Sequence, residues 1–230
     1  DRYGIVAKVS TTLNKSNLFI LDSAHYGDPE NKYFFMRAKL IYSKNELDLN
    51  KFSKFFDKEC KSLKMNWSIK EAGYRPNSAI FVSKYGHCLH DLIYRVDSGI
   101  LPMNISCIIS NHKDHEKLAN WHKIPFYYIP VNKNNKKQAE KETRKILKEL
   151  NIDLIILARY MQILSDQMCK DFFGQIINIH HSFLPSFKGA KPYHQAYQKG
   201  VKILGATAHY VSSELDEGPI IDQSVERVDH

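Results

Sequence analysis

What this chain lacks narrows it before any motif is read. Its four cysteines, Cys60, Cys88, Cys107 and Cys169, lie far apart and form no Cys-x-x-Cys pair. Neither a zinc ribbon nor a disulfide framework is suggested, and a reducing cytoplasm fits that usage. No apolar run approaches the roughly 20 residues that cross a bilayer, and the first residues do not look like a signal peptide; a soluble protein without a membrane partner is expected. Arginine-aromatic motifs of nucleic-acid binders are missing as well. The net charge of +8 over 230 residues therefore needs another account. Many of its lysines fall in "NKNNKKQAEKETRKILKEL" (Asn132 to Leu150), where acidic residues interleave and Ile146, Leu147 and Leu150 make an apolar stripe, the pattern of a solvated amphipathic helix. That points away from nucleic acid and leaves a polyanionic small molecule open.

A chain of this length can bury a substantial core, in one large domain or two modest ones. Two rhythms divide it. In the first part Ile5, Val6, Val9 and Leu13 recur at helical spacing, "LFILDSAHY" (Leu18 to Tyr26) reads as extended, and Gly27, Asp28 and Pro29 punctuate a turn. Phe34, Met36, Ala38 and Leu40 then alternate with Phe35, Arg37, Lys39 and Ile41, so the second strand is expected to pair with the first as a hairpin. Leu49, Phe52, Phe56 and Leu63 mark a second helix, and "MNWSIKEA" reads as a returning strand. "GYRPNS" (Gly73 to Ser78) has the glycine and proline of a linker, which sets expected domains at residues 1–73 and 78–230.

After that linker come "AIFVS", "ISCIIS", "FYYIP" and "LIILA", short apolar, β-branched or aromatic runs separated by helical stretches. The spacing is that of repeated βαβ units, hence an α/β fold with a doubly wound, mostly parallel sheet covered on both faces. Ligands in such folds bind beyond the carboxyl ends of the strands. "QIINIHHS" is a further strand that carries Asn178, His180 and His181 to that edge.

Asn178 and His180 are two apart, so an extended backbone puts both side chains on one face. An amide donor and an imidazole could then converge on one carbonyl group, the first stabilising a developing oxyanion and the second moving a proton. A carboxylate partner is available in "ATAHYVSSELDEGPII", where Glu214, Asp216 and Glu217 form a polar insertion between two strand-like runs. On pattern alone the plainer alternative stays open, in which these acids decorate a turn and His180 is an ordinary buried histidine. Cys88 could gain thiolate character at a helix start, although nothing pairs it with an oxyanion hole. His87 with His90, and His112 with His115, have a helical spacing that could bind metal, but neither pair has an obvious third ligand.

"NIHHSFLPSFKGA", followed by "GATAHYVSSELDEGPIIDQSVERV", resembles the folate-dependent formyltransferase family, with its Asn-x-His strand end, Leu-Pro loop closing on glycine, and Asp-x-Gly turn. The resemblance covers Ser78 to His230 and implies a catalytic trio of Asn178, His180 and Asp216. Transformylases of that family have a glycine-rich phosphate cradle after their first strand, whereas this chain reads "VSKYGHCLHDL" (Val82 to Leu92), with one glycine. They also have proline after the catalytic histidine, where this chain has His181. Both departures are similar to the deformylase branch, in which water accepts the formyl group. The N-terminal "DRYGIVAKVS" resembles the opening of an ACT domain, a ferredoxin-like βαββαβ module that deformylases carry before the catalytic domain. The chain begins at Asp1 without that module's first strand and stops at His230 just after a strand, so further residues are expected at both ends.

The resemblance thus implies hydrolysis of 10-formyltetrahydrofolate to tetrahydrofolate and formate, supplying formate for purine synthesis and balancing the one-carbon pool. The folate is the substrate, and no metal or other cofactor is required. Asp216 would orient His180 and help position the water, while Asn178 and His180 stabilise the oxyanion. Met161, Gln162 and Leu164 of "LARYMQIL", with Val211 opposite, would line the pterin site, and His181 would bear on the acceptor. Association into a homo-oligomer through ACT domains and control by glycine or methionine are implied too. Two rivals remain: formyl transfer to an amine, since "GAKPYHQA" also resembles the loop of methionyl-tRNA formyltransferase, and a non-catalytic amino-acid sensor.

Overall fold

The computed structural model describes residues 3–42, 47–186 and 192–228, and the chain divides into two units, 1–70 and 71–230. In the first unit α1 (Ile5–Lys15) precedes β1 (Phe19–Asp28) and β2 (Tyr33–Ile41), which pair antiparallel, and α2 (Leu49–Cys60) follows, ending in a short 3-10 turn at Lys61–Leu63. Asp48 caps α2 by accepting from the amides of Asn50 and Lys51, which satisfies donors that the first helical turn leaves open. Val9, Leu13, Leu18, Phe52, Phe56 and Cys60 make the core. The alternation expected in β2 is observed: Phe34, Met36, Ala38 and Leu40 are half-buried while their neighbours are exposed.

Three local expectations need correction. The hairpin turn lies at residues 29–32, because β1 runs on through Gly27 and Asp28, which pair with Phe34 and Tyr33. Asp28 then accepts from the amides of Glu30 and Asn31, an Asx-type closure that only its side chain supplies. Met65, Trp67 and Ile69 alternate with exposed neighbours as a strand would and pack on the small core, yet this segment pairs with no strand among the described residues. Periodicity of two records which face is buried; a strand also needs an adjacent edge to bond with. Asn77 and Ser78, read as linker, open the first strand of the second unit, where Asn77 donates its amide to the Asp153 carboxylate.

The second unit is a seven-stranded sheet in the order β5-β4-β3-β6-β7-β8-β9. Its strands are β3 (Asn77–Val82), β4 (Asn104–Ser110), β5 (Phe126–Tyr128), β6 (Leu154–Ala158), β7 (Ile176–His180), β8 (Ile203–Tyr210) and β9 (Ile220–Arg227). The first five in that order are parallel and the last two join antiparallel. Helices α3 (His87–Asp97), α4 (Glu116–Trp121), α5 (Lys136–Glu149), α6 (Asp166–Asp171) and α7 (Pro192–Gln198) lie between them. Alternate residues of the central strands enter two cores. Ala79, Phe81, Ile155, Leu157 and Ile176 pack with Ala139 and Leu147 of α5 and Met168 of α6. Ile80, Val82, Ile156 and Ala158 pack with Leu89 and Ile93 of α3 and Ala119 of α4. Both faces are covered, which is why these strands read as continuous apolar runs. The chain runs from β3 outward to β5 and then returns to β6 beside β3, so the direction of winding switches between β3 and β6, and a crevice opens at their carboxyl ends. Among the described residues no helix is long and apolar enough to cross a membrane.

Candidate active site

β7 is the last parallel strand, and its neighbours differ in direction: Asn178 sits beside Leu157 of β6 and opposite His209 of β8. Asn178 Nδ2 lies 3.2 Å from His209 Nε2, and His209 Nδ1 lies 3.0 Å from the Tyr210 carbonyl oxygen. A carbonyl can only accept, so Nδ1–H donates to it and Nε2 is left to accept from the Asn178 amide. The ring, 2% exposed, thereby fixes which way the Asn178 carboxamide faces. Two residues further on, His180 is buried with its Nδ1 3.5 Å from Asp216 Oδ2. The second Asp216 oxygen is 3.9 Å from His209 Nε2.

Asp216 reaches inward because of the turn that carries it. Its φ is 57°, a left-handed conformation that aspartate tolerates better than most residues. The loop is closed by the Tyr210 amide donating to the Pro219 carbonyl and by Ser212 Oγ donating to the Glu214 carbonyl. Gly218 is obligatory there, since a Cβ would collide with the Tyr210 carbonyl. Of the three acids in the insertion, Glu214 and Glu217 are exposed while the Asp216 side chain is 7% exposed.

The residues after His180 are pinned as well. Thr207, fully buried opposite His180, donates to the Ser182 carbonyl and accepts from the Leu184 amide and from Gln223 Nε2. Residues 187–191, which include the glycine of the expected pocket-mouth loop, lie outside the described residues. His181 turns toward the other side of the crevice. Its Nδ1 is 3.5 Å from Arg159 Nη1, and its ring stacks edge-on to Tyr193 at 5.4 Å. Burial holds its imidazole below the usual range, with Arg159 and then His180 adding to that effect and Asp216 opposing it.

Of the expected pterin-lining residues, Leu164 and Val211 both pack against the core around Ile176. Gln162 shares a small cleft with Phe81, Val131, Tyr160 and Leu164. Met161 is largely exposed, its amide donating to Ser83 Oγ. At the start of α3 the Cys88 thiol is pushed up, by burial first, the opposite of what a thiolate nucleophile needs. Gly86 lies against the His115 imidazole so closely that a Cβ there would collide with it. That ring packs directly on the single glycine of the loop after β3. Of the paired histidines, His90 and His115 meet ring to ring at 6.4 Å, and among the described residues no group of three or more His, Cys, Asp or Glu is set to hold a metal ion. Two residues of this region, His209 and Arg159, were not singled out from the sequence.

Residues 76–230 match the family model described as formyl transferase. Over 227 residues the chain is 44% identical to a formyltetrahydrofolate deformylase of Corynebacterium sp. (strain P-1), covering 99% of this chain and 79% of that one. The crystal structure of a formyltetrahydrofolate deformylase from Pseudomonas syringae pv. tomato str. DC3000 superposes with a TM-score of 0.94 at 44% identity, over 100% of this chain and 77% of that chain. A phosphoribosylglycinamide formyltransferase from Anaplasma phagocytophilum is similar over a smaller extent, with a TM-score of 0.60 and 36% identity across 67% of this chain and 74% of its own.

Proposed function

The chain belongs to the formyl transferase family, and from that premise we propose that it hydrolyses 10-formyltetrahydrofolate to tetrahydrofolate and formate. The observation that carries this reading is the buried constellation at the end of β7, with Asn178 held by His209 and His180 set 3.5 Å from Asp216. Two further observations favour water as acceptor. Named deformylases match this chain along its full length, and the loop after β3 has one glycine, packed under the His115 ring, where a phosphate cradle would be glycine-rich.

In this mechanism Asp216 accepts from His180 Nδ1–H, which leaves Nε2 on the opposite edge of the ring for the reacting groups. A water oxygen bonds to the formyl carbon, and the carbonyl oxygen takes up the negative charge. His180 Nε2 takes one proton of that water, and the resulting imidazolium and the Asn178 amide donate to the oxyanion. The C–N10 bond then breaks, N10 receives one proton of the water by way of His180 or a relayed water, and formic acid ionises to formate. Met161, Gln162, Leu164 and Val211 would hold the pterin, largely through apolar walls and backbone groups. The scheme uses no metal and no second cofactor.

For the first unit we infer an ACT-type module: the order α1-β1-β2-α2 with an antiparallel hairpin packed on both helices matches the middle of a βαββαβ unit. On that reading small amino acids such as glycine or methionine act as effectors and the module brings copies together. Free thiols at Cys60, Cys88, Cys107 and Cys169 support a reducing, cytoplasmic setting, where released formate would feed purine synthesis.

The test is formate release from 10-formyltetrahydrofolate with water as the only acceptor. Release that Asp216→Ala abolishes is expected; folate binding with no release would turn the reading toward a transferase that awaits an amine.

A further inference from the structure

We propose that Arg159, at the crevice between β3 and β6, forms a binding site for a small carboxylate, and that its occupant is the formate produced at His180. The occupant rests on the hydrolytic reading above; the site rests on the geometry alone.

Arg159 follows directly on β6, whose neighbour β3 marks the switch in winding, the place where open α/β sheets bind ligands. Two features of it are costly. Its φ is 61°, the left-handed region that L-residues other than glycine, asparagine and aspartate avoid. Its Nε is buried with no hydrogen-bond partner among the described residues, and a buried donor on a cation is expensive to leave open. Costs of this kind persist where a ligand or reaction uses the position.

The rest of the side chain is anchored. Tyr85 lies beneath the guanidinium, ring centroid to Cζ 5.7 Å, within the range of a cation–π contact. Nη1 faces His181 Nδ1 at 3.5 Å; arginine only donates, so Nδ1 accepts and the ring proton sits on Nε2. With Nη1 engaged, the Nε–H on the far edge has no acceptor among the described residues, and Nη2 shares that edge. Two parallel donors from a planar cation are the complement of a carboxylate fork.

Position selects the carboxylate. The His181 ring that touches Arg159 is 5.7 Å, centroid to centroid, from the ring of His180, so the guanidinium stands one side chain away from where formate forms. The same cation repels an ammonium approaching as an acceptor and leaves water unaffected.

The experiment uses the full chain, after its formate release has been measured, with ¹³C-formate as probe: line broadening on the free enzyme and the inhibition constant of added formate. Arg159→Gly removes the donors and suits the left-handed backbone, so the variant keeps or raises its thermal midpoint while formate affinity falls about tenfold or more. Arg159→Lys keeps the charge without the fork and retains part of the affinity. Should Arg159→Gly not fold, Arg159→Asn tolerates the same φ and serves instead. Unchanged formate affinity in a folded variant overturns the proposal. So does a loss seen for tetrahydrofolate but not for tetrahydropteroate, with formate unaffected, since the edge would then hold the glutamyl tail. Formate bound through Arg159 by a wild-type protein that releases none would sustain the carboxylate site and sink the hydrolytic reading.

Discussion

At the carboxyl edge of one sheet, two clusters of polar side chains are built on opposite principles. Beside β8, the amide of Asn178 is held by His209, His209 by the Tyr210 carbonyl, and His180 by Asp216. Beside β3, Arg159 touches His181 and Tyr85 and keeps one donor edge open. A group whose hydrogen bonds are filled by the protein can be aimed but receives little; a group left open can receive but is aimed only by its packing. Catalysis of carbonyl chemistry needs the first kind where charge develops, and ligand capture uses the second.

The largest effect should come from the closed cluster. Asn178→Ala removes an oxyanion donor without touching the apolar walls, and turnover should fall by ~10²–10³ with folate binding retained. Single-turnover formate release beside a direct folate titration would measure both. Turnover within a factor of about two of wild type would mean that the closed cluster is structural and that the chemistry lies elsewhere along the edge.

A smaller loss sharpens the distinction between aiming and reacting. His209 acts through Asn178, so His209→Ala should lower kcat with little change in KM. Losing the acceptor that orients the amide is worth about 1–3 kcal/mol, or roughly five- to 150-fold. His209→Gln, which returns an acceptor oxygen, should recover part of it. If both variants change KM and thermal midpoint together while kcat holds, His209 is packing only.

The asymmetry also explains what the sequence could and could not disclose. Runs such as "AIFVS" and "LIILA" announce their strands because both faces of a parallel sheet are buried, and Asn178 and His180 share a face by simple parity. Asp216 was legible as one of three acids, but the left-handed turn that brings it inward and leaves Glu214 and Glu217 outside is a matter of backbone geometry. His209 gains its role from a cross-strand pairing with a residue 31 positions away. Its parity with the buried Gly205 and Thr207 was the available signal. Arg159 left a fainter trace, a cation placed straight after a five-residue apolar strand. The segment around Trp67 misled for the converse reason: burial alternates there without a neighbouring edge to bond.

The smallest expected effect tests how far the open cluster's charge reaches. The His181 imidazole is held below its ordinary range by burial, then by the Arg159 and His180 charges, against a weaker pull from Asp216. In the unfolded chain the same histidine titrates near 6.5. As pH falls through that value the unfolded state takes up a proton that the folded state still refuses, so folding stability is present above the unfolded pKa and lost on acidification. Thermal midpoints measured from pH 8 down to pH 5 should therefore decline more steeply for wild type than for His181→Gln. Arg159→Gly should lie between them, because it removes the second cause of the shift and leaves the first. Equal declines in wild type and Arg159→Gly, both steeper than in His181→Gln, would show that the Arg159 charge is screened before it reaches the neighbouring ring, and the two clusters would then be independent in energy as well as in design.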